Sequence, residues 1–215
     1  MTDASQVGHI AGRFRDLQGL RQVVGGVGLL LLFGVEVASP MSPADVRAKG
    51  IEPLLWALAV LAVAIPIAVV AFIKVTAWYR RNFGLVEQTA RRRRLGKLIG
   101  GGGALVFVIP FEVDSLATTA GQSLPVNAID FTLALWIIGY WLYLGRQYRH
   151  YLVLAGIGFV LGFVSIAGIT PATFAWHVQE ATLYIAVASI VGGLIDHRIL
   201  TRALSQPEIG LGIES

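Results

Sequence analysis

Six apolar stretches alternate with polar connections along this chain, and the positive charge is divided unequally between alternate connections. Fifteen of the seventeen Lys and Arg residues fall on one side of the membrane that these stretches draw, all but Lys74 of them in the two tails or in the connections after the second and fourth stretches. The connections after the third and fifth stretches hold none. Such a division is the signature of a polytopic membrane protein whose basic loops stay in the cytoplasm. It predicts an all-α bundle of six transmembrane helices in a cytoplasmic (inner) membrane, with both termini inside.

The composition agrees. The chain is 55% hydrophobic and only 14% charged, too few polar groups to cover a soluble domain of this length. There is no cysteine, so disulfides, thiolate metal sites and Cys nucleophiles are excluded. The basic balance, with a pI near 9.7, points to membrane-flanking loops and not to nucleic acid, because no separate basic domain carries it.

Measured against the ~20 residues that cross a bilayer core, the expected spans are 22–38, 53–78, 98–116, 128–144, 151–169 and 176–195. Pro66 is a candidate kink in the long second span. Trp56, Trp78, Tyr79, Tyr148, Tyr151 and Trp176 sit where interfacial aromatics are expected. Ser39-Pro40, Ser42-Pro43, Leu124-Pro125 and Thr170-Pro171 mark turns, with Asn127 a candidate N-cap.

Three regions follow: a cytoplasmic interfacial segment at 1–21, the six-helix domain at 22–200, and a short cytoplasmic tail at 201–215. In the first, Val7, Ile10, Phe14, Leu17 and Leu20 recur at spacings of three and four, as in an amphipathic helix lying on the inner leaflet. The basic tail together with the first apolar run and Val37-Ala38-Ser39 also resembles a signal peptide with an unusually long n-region.

The first and third spans match without gaps at an offset of 76: Gly25-Gly26 on Gly101-Gly102, Glu36-Val37 on Glu112-Val113, Ser39 on Ser115. The fifth span echoes the glycines more weakly. Three pseudo-repeated helical hairpins would produce this, and so would three basic-started apolar helices drawn from a small alphabet. Gly25, Gly26, Gly28, Gly100 to Gly103, Gly158-x-x-x-Gly162 and Gly192-Gly193 are expected to let helix backbones approach closely. Gly96-Lys97-Leu98-Ile99 lacks the surroundings of a phosphate loop.

The acids are polarised opposite to the bases. Glu36, Glu112, Asp114, Asp130 and Glu180 all lie at the outer ends of spans. With Asp45 and Glu52 they give the outer side a net charge of −5 against +9 inside. Carboxylates converging there form an acidic vestibule that favours cations, and the expected activity is transport or channel-type work. His177 and Glu180, one helical turn apart, share a face. With Glu112 they are an alternative divalent-metal site of a membrane-embedded enzyme. The plainer reading of the set is structural: Asp130 in a first helical turn favoured by the helix dipole, Glu36 and Asp114 reaching interfacial water. Glu112 and Glu180 lie deeper, which makes them the strongest candidates.

His150 and His197 border the headgroups on the inner side, a poor depth for a haem pair, and Asp196-His197-Arg198 has the look of an ordinary polar helix end. No cofactor is named by these residues. Arg80, Arg81, Arg91, Arg92, Arg93, Arg94 and Lys97 form the most charged connection. They suit anionic lipid headgroups at ~1 kcal/mol each, or a cytoplasmic partner if the chain is an accessory or assembly subunit. A homo-oligomer or larger membrane complex is the expected setting. There is no Gly-x-Ser-x-Gly and no His-Glu-x-x-His, and Ser165 has no His level with it.

Overall fold

A computed structural model describes residues 17–38, 52–83, 90–122, 124–144, 146–164, 166, 168–169 and 173–204. Among these, the chain forms six helices and no strand. They are α1 (Leu20–Ala38), α2 (Glu52–Phe83), α3 (Ala90–Thr119), α4 (Ala128–Tyr143), α5 (His150–Val164) and α6 (Phe174–Leu204). Nearly all of the proposed amphipathic segment, the first outer loop with Asp45, Arg47 and Lys49, and the C-terminal tail lie outside the described residues.

Each expected span corresponds to one helix, with different ends. Helices α2, α3 and α6 run well beyond the apolar stretches, into Arg80-Arg81, back to Ala90, and on to Leu204. A helix needs no apolar residue to continue once its backbone hydrogen bonds propagate. Helix α5 is shorter than the expected 151–169 and stops at Val164, with Gly168 in the left-handed region at φ 68°. Pro66 and Pro110 both lie inside continuous helices.

Among the described residues, two stretches are long and apolar enough to cross a membrane, Leu58–Phe83 in α2 and Ala175–Ala203 in α6. The apolar stretches in α1, α4 and α5 are shorter.

Helix α6 is the hub, packing against α1, α3, α4 and α5. Its partners set the odd helices antiparallel to the even ones. The starts of α1 and α5 meet the ends of α2 and α6, through Leu20, Gln22 and Tyr151 against Tyr79, Asp196 and His197. At the other end, Asn127 at the start of α4 meets the end of α5 and the start of α6. The core runs through the middle of α4, α5 and α6, with Leu133, Ala134, Ile137, Leu154, Ala155, Ala181, Tyr184 and Ala188 all buried.

The glycines divide. Between α1 and α6 the backbones meet directly: a Cβ on Gly19 would collide with the Gly193 carbonyl, and one on Gly193 with the Gly19 carbonyl. One on Gly26 would lie 2.7 Å from the Ala186 oxygen. Gly158 and Gly162 instead receive aromatic rings, Tyr184 and Phe131, at 2.6 and 2.9 Å from a notional Cβ. Gly25 and Gly28 meet nothing within 4 Å, contrary to the expectation for them, because they lie off the α6-facing side. The side-chain surroundings of Gly100 to Gly103 are outside the described set.

Helix α2 stands apart. Among the described residues it packs chiefly on α1, and its last turns reach α6 through Trp78 and Tyr79 at His197. No residue of its most apolar window is buried, and Trp56, Leu58, Val63, Ile65, Ile67, Val69 and Ile73 are each more than half exposed.

Candidate functional site

Asn127 organises one end of the bundle. Its Oδ1 accepts from the Ile129 and Asp130 amides at 3.1 and 3.3 Å, the N-cap expected for α4. Its own amide donates to the Gly162 carbonyl at 3.1 Å, tying in α5. Its Nδ2 lies 2.8 Å from Asp130 Oδ2, 3.1 Å from the His177 carbonyl and 3.3 Å from Glu180 Oε2. Two carboxylates from two helices thus converge on a single amide nitrogen.

Beside it, His177 Nδ1 and Asp114 Oδ2 are 2.7 Å apart, joining α6 to α3. Asp114, Asn127, Asp130 and His177 are all essentially buried. Asp114 Oδ1 and Asp130 Oδ1 are buried with no hydrogen-bond partner. A buried carboxylate oxygen without a donor is costly, so the cluster holds acceptor capacity beyond what these side chains use.

The relative standing of the acids is reversed from the sequence expectation. Glu112 is exposed, Glu180 is partly buried, and Asp114 and Asp130, read as an interfacial group and a dipole partner, are sealed in the interior. Residues two apart on a helix point to nearly opposite sides, so when α3 turns Asp114 toward α6, Glu112 is turned away. Asp130 does sit in the first turn of α4, but its side chain is held within the cluster. Glu36 lies in α1, its side chain outside the described set. Among the described residues, no three His, Asp or Glu side chains are grouped to hold a metal ion.

A second polar cluster occupies the opposite end. Tyr151 donates to Asp196 Oδ2 at 2.5 Å, Gln22 Nε2 lies 3.4 Å from both, and His150 Nε2 is 3.1 Å from Asp196 Oδ1. Asp196 is fully buried, so the segment read as an ordinary polar helix end contains a third interior acid. His197 is engaged separately: its Nδ1 is 2.8 Å from Tyr79 Oη, which also accepts from the Leu20 amide at 3.2 Å. The two histidines weighed as a haem pair therefore contact different groups. Arg21 donates to Thr76 and lies over the Phe72 ring. Arg80, Arg81, Arg94 and Lys97 are exposed. Arg91, Arg92 and Arg93 belong to α3, their side chains outside the described set.

Sequence reasoning missed Gln22, Tyr79 and Tyr151 as members of a polar network. The signal for it was modest: a Gln in an apolar helix, and tyrosines that double as interface anchors. Tyr79→Phe tests the network. Loss of the hydroxyl strands the Leu20 amide, and stability in detergent should fall by about 1–3 kcal/mol, read from thermal unfolding. An unchanged midpoint would show that Tyr79 acts only through its ring.

Compared with protein families, characterised proteins and solved structures, the chain has no match. The described residues form an all-helical protein in which two helices are long and apolar enough to cross a membrane. Buried acid-histidine pairs lie near both ends of its central helix.

Proposed function

We propose that this chain is a six-span protein of a cytoplasmic membrane, termini inside, that carries out proton-linked cation transport through the buried acid cluster. The observation that carries the reading is the pairing of buried Asp114 with His177, next to Asp130 and Glu180 on Asn127. Ionisable side chains held away from water are costly, and within a membrane domain they mark ion and proton pathways by default. Two carboxylates at one amide repel when both are ionised; a shared proton or cation removes the repulsion.

The membrane placement is supported by α2, whose exposed apolar residues on all sides are tolerable only in lipid or under other helices. It is supported too by spacing. His177 and Asp196 are nineteen residues apart on α6, about 28 Å at the helical rise, close to the ~30 Å hydrocarbon thickness. The described basic side chains of the 80–97 connection and of the ends of α2 and α6 flank the Asp196 end, where they suit anionic headgroups. The His177 end is then the acidic outer vestibule. The peripheral position of α2 also favours a second reading, in which that helix docks another membrane subunit.

Purified protein reconstituted into vesicles with an entrapped pH indicator tests the function. Under an imposed potassium diffusion potential, wild-type vesicles should change internal pH well above the empty-vesicle rate. Asp130→Asn should cut the excess at least about ten-fold, equivalent to about 1.4 kcal/mol. Wild-type flux at the level of empty vesicles across added monovalent cations sinks the transport reading.

A further inference from the structure

Helices α1 and α4 both pack on α6 but share no substantial interface with each other. Between them lies a cleft of about 430 Å³ whose lining includes Gln22, Gly25, Trp136, Tyr140, Tyr151 and Ser189. That volume is in the range of small-molecule sites, which are mostly apolar with a few placed polar groups. Three aromatic rings line it: Trp136 and Tyr140 are stacked at 19°, with centroids 6.2 Å apart, and Tyr151 meets Tyr140 edge-on at 5.1 Å. None of its lining residues is charged. At one end the Gln22 amide contacts Tyr151 and Asp196 only at 3.4 Å, long for a hydrogen bond. Ser189 adds a hydroxyl on the same wall.

We propose that this cleft binds an uncharged, lipid-soluble molecule with a flat carbonyl-bearing ring, the quinone class. Each feature of the cleft selects a feature of the ligand. A charged ligand would be left without a counter-ion on these walls. A plain acyl chain would use neither the aromatic faces nor the Gln22 amide and Ser189 hydroxyl. A flat ring stacks on aromatic faces, and its carbonyls accept from those donors. The proposal rests on the membrane placement given above, but not on proton transport.

The test titrates the purified full-length protein in detergent with a short-chain benzoquinone while tryptophan fluorescence is recorded. Wild type should show a saturable component of quenching above the linear collisional background, and Trp136→Phe should lose most of it. Ser189→Leu, which places a bulkier side chain in the cleft, should weaken the midpoint at least ten-fold. If Ser189→Leu does not fold, Trp136→Phe decides alone. Linear quenching in wild type, or saturable quenching undiminished in Trp136→Phe, overturns the proposal. So does complete displacement of the quinone by an equimolar saturated acyl amphiphile, which would make the cleft a lipid groove. Quinone binding without proton flux would overturn only the transport reading, and flux without quinone binding only this one.

Discussion

His177→Ala is expected to cost the folded protein about 3–5 kcal/mol, because it leaves Asp114 buried and without its partner. Asp114 is 1% exposed and His177 is fully buried, so no water replaces the lost contact at the surface. The Asp114 carboxylate already has one oxygen without a donor; removal of the imidazole takes the partner of the other. The double variant Asp114→Leu/His177→Leu should be much less damaging than His177→Ala alone, since apolar replacement of both partners of a buried pair is often near neutral. The measurement is thermal or denaturant unfolding in detergent for wild type, both singles and the double. Equal losses in the single and double variants would mean that packing volume, and not the uncompensated charge, sets the cost. On the transport proposal the double should also abolish vesicle proton flux while leaving a folded protein, which separates the proposed transport role of this pair from its part in stability.

The second large effect lies at the crossing of α1 and α6. Gly193→Val should prevent native packing of these helices, giving a protein that aggregates on extraction or unfolds well below wild type. A Cβ on Gly193 meets the Gly19 carbonyl as well as Val23 and Gln22, and a backbone carbonyl cannot move aside as the tip of a flexible side chain can. Overpacking typically costs 1–3 kcal/mol when side chains can adjust; here the two helices themselves must separate, so the loss should reach or exceed about 3 kcal/mol. Gly25→Ala is the control. Nothing lies within 4 Å of its Cβ, and the change should be neutral or stabilise α1 by up to about 1 kcal/mol through helix propensity. The readout is the fraction of monodisperse protein after extraction, with the unfolding midpoint of what remains. Similar behaviour of the two variants would show that the α1–α6 crossing is not held by backbone contact.

Such contrasts mark the boundary of what the chain displays by itself. Hydropathy identified the six helices of the described residues, because a long apolar run has few alternatives to helix, and the turn signals placed the Asn127 cap before α4. It did not separate Glu112 from Asp114. Both are acids near the end of the same helix, and only the rotation of α3 against α6 buries one and exposes the other. Asp196 was hidden for the same reason. Flanked by His197 and Arg198 it resembles a solvated helix end, and only the approach of Gln22, His150 and Tyr151 from two other helices makes it interior. The Gly19–Gly193 contact joins residues far apart in sequence, one of them ahead of the first span, and no local pattern announces it. Periodicity and composition depend on each residue's own neighbours along the chain, so the sequence alone determined that the described segments are helical and roughly where each lies. Burial of a charge depends on which side of one helix meets another, and only the tertiary structure decided that, among the described residues, the interior holds Asp114, Asp130 and Asp196.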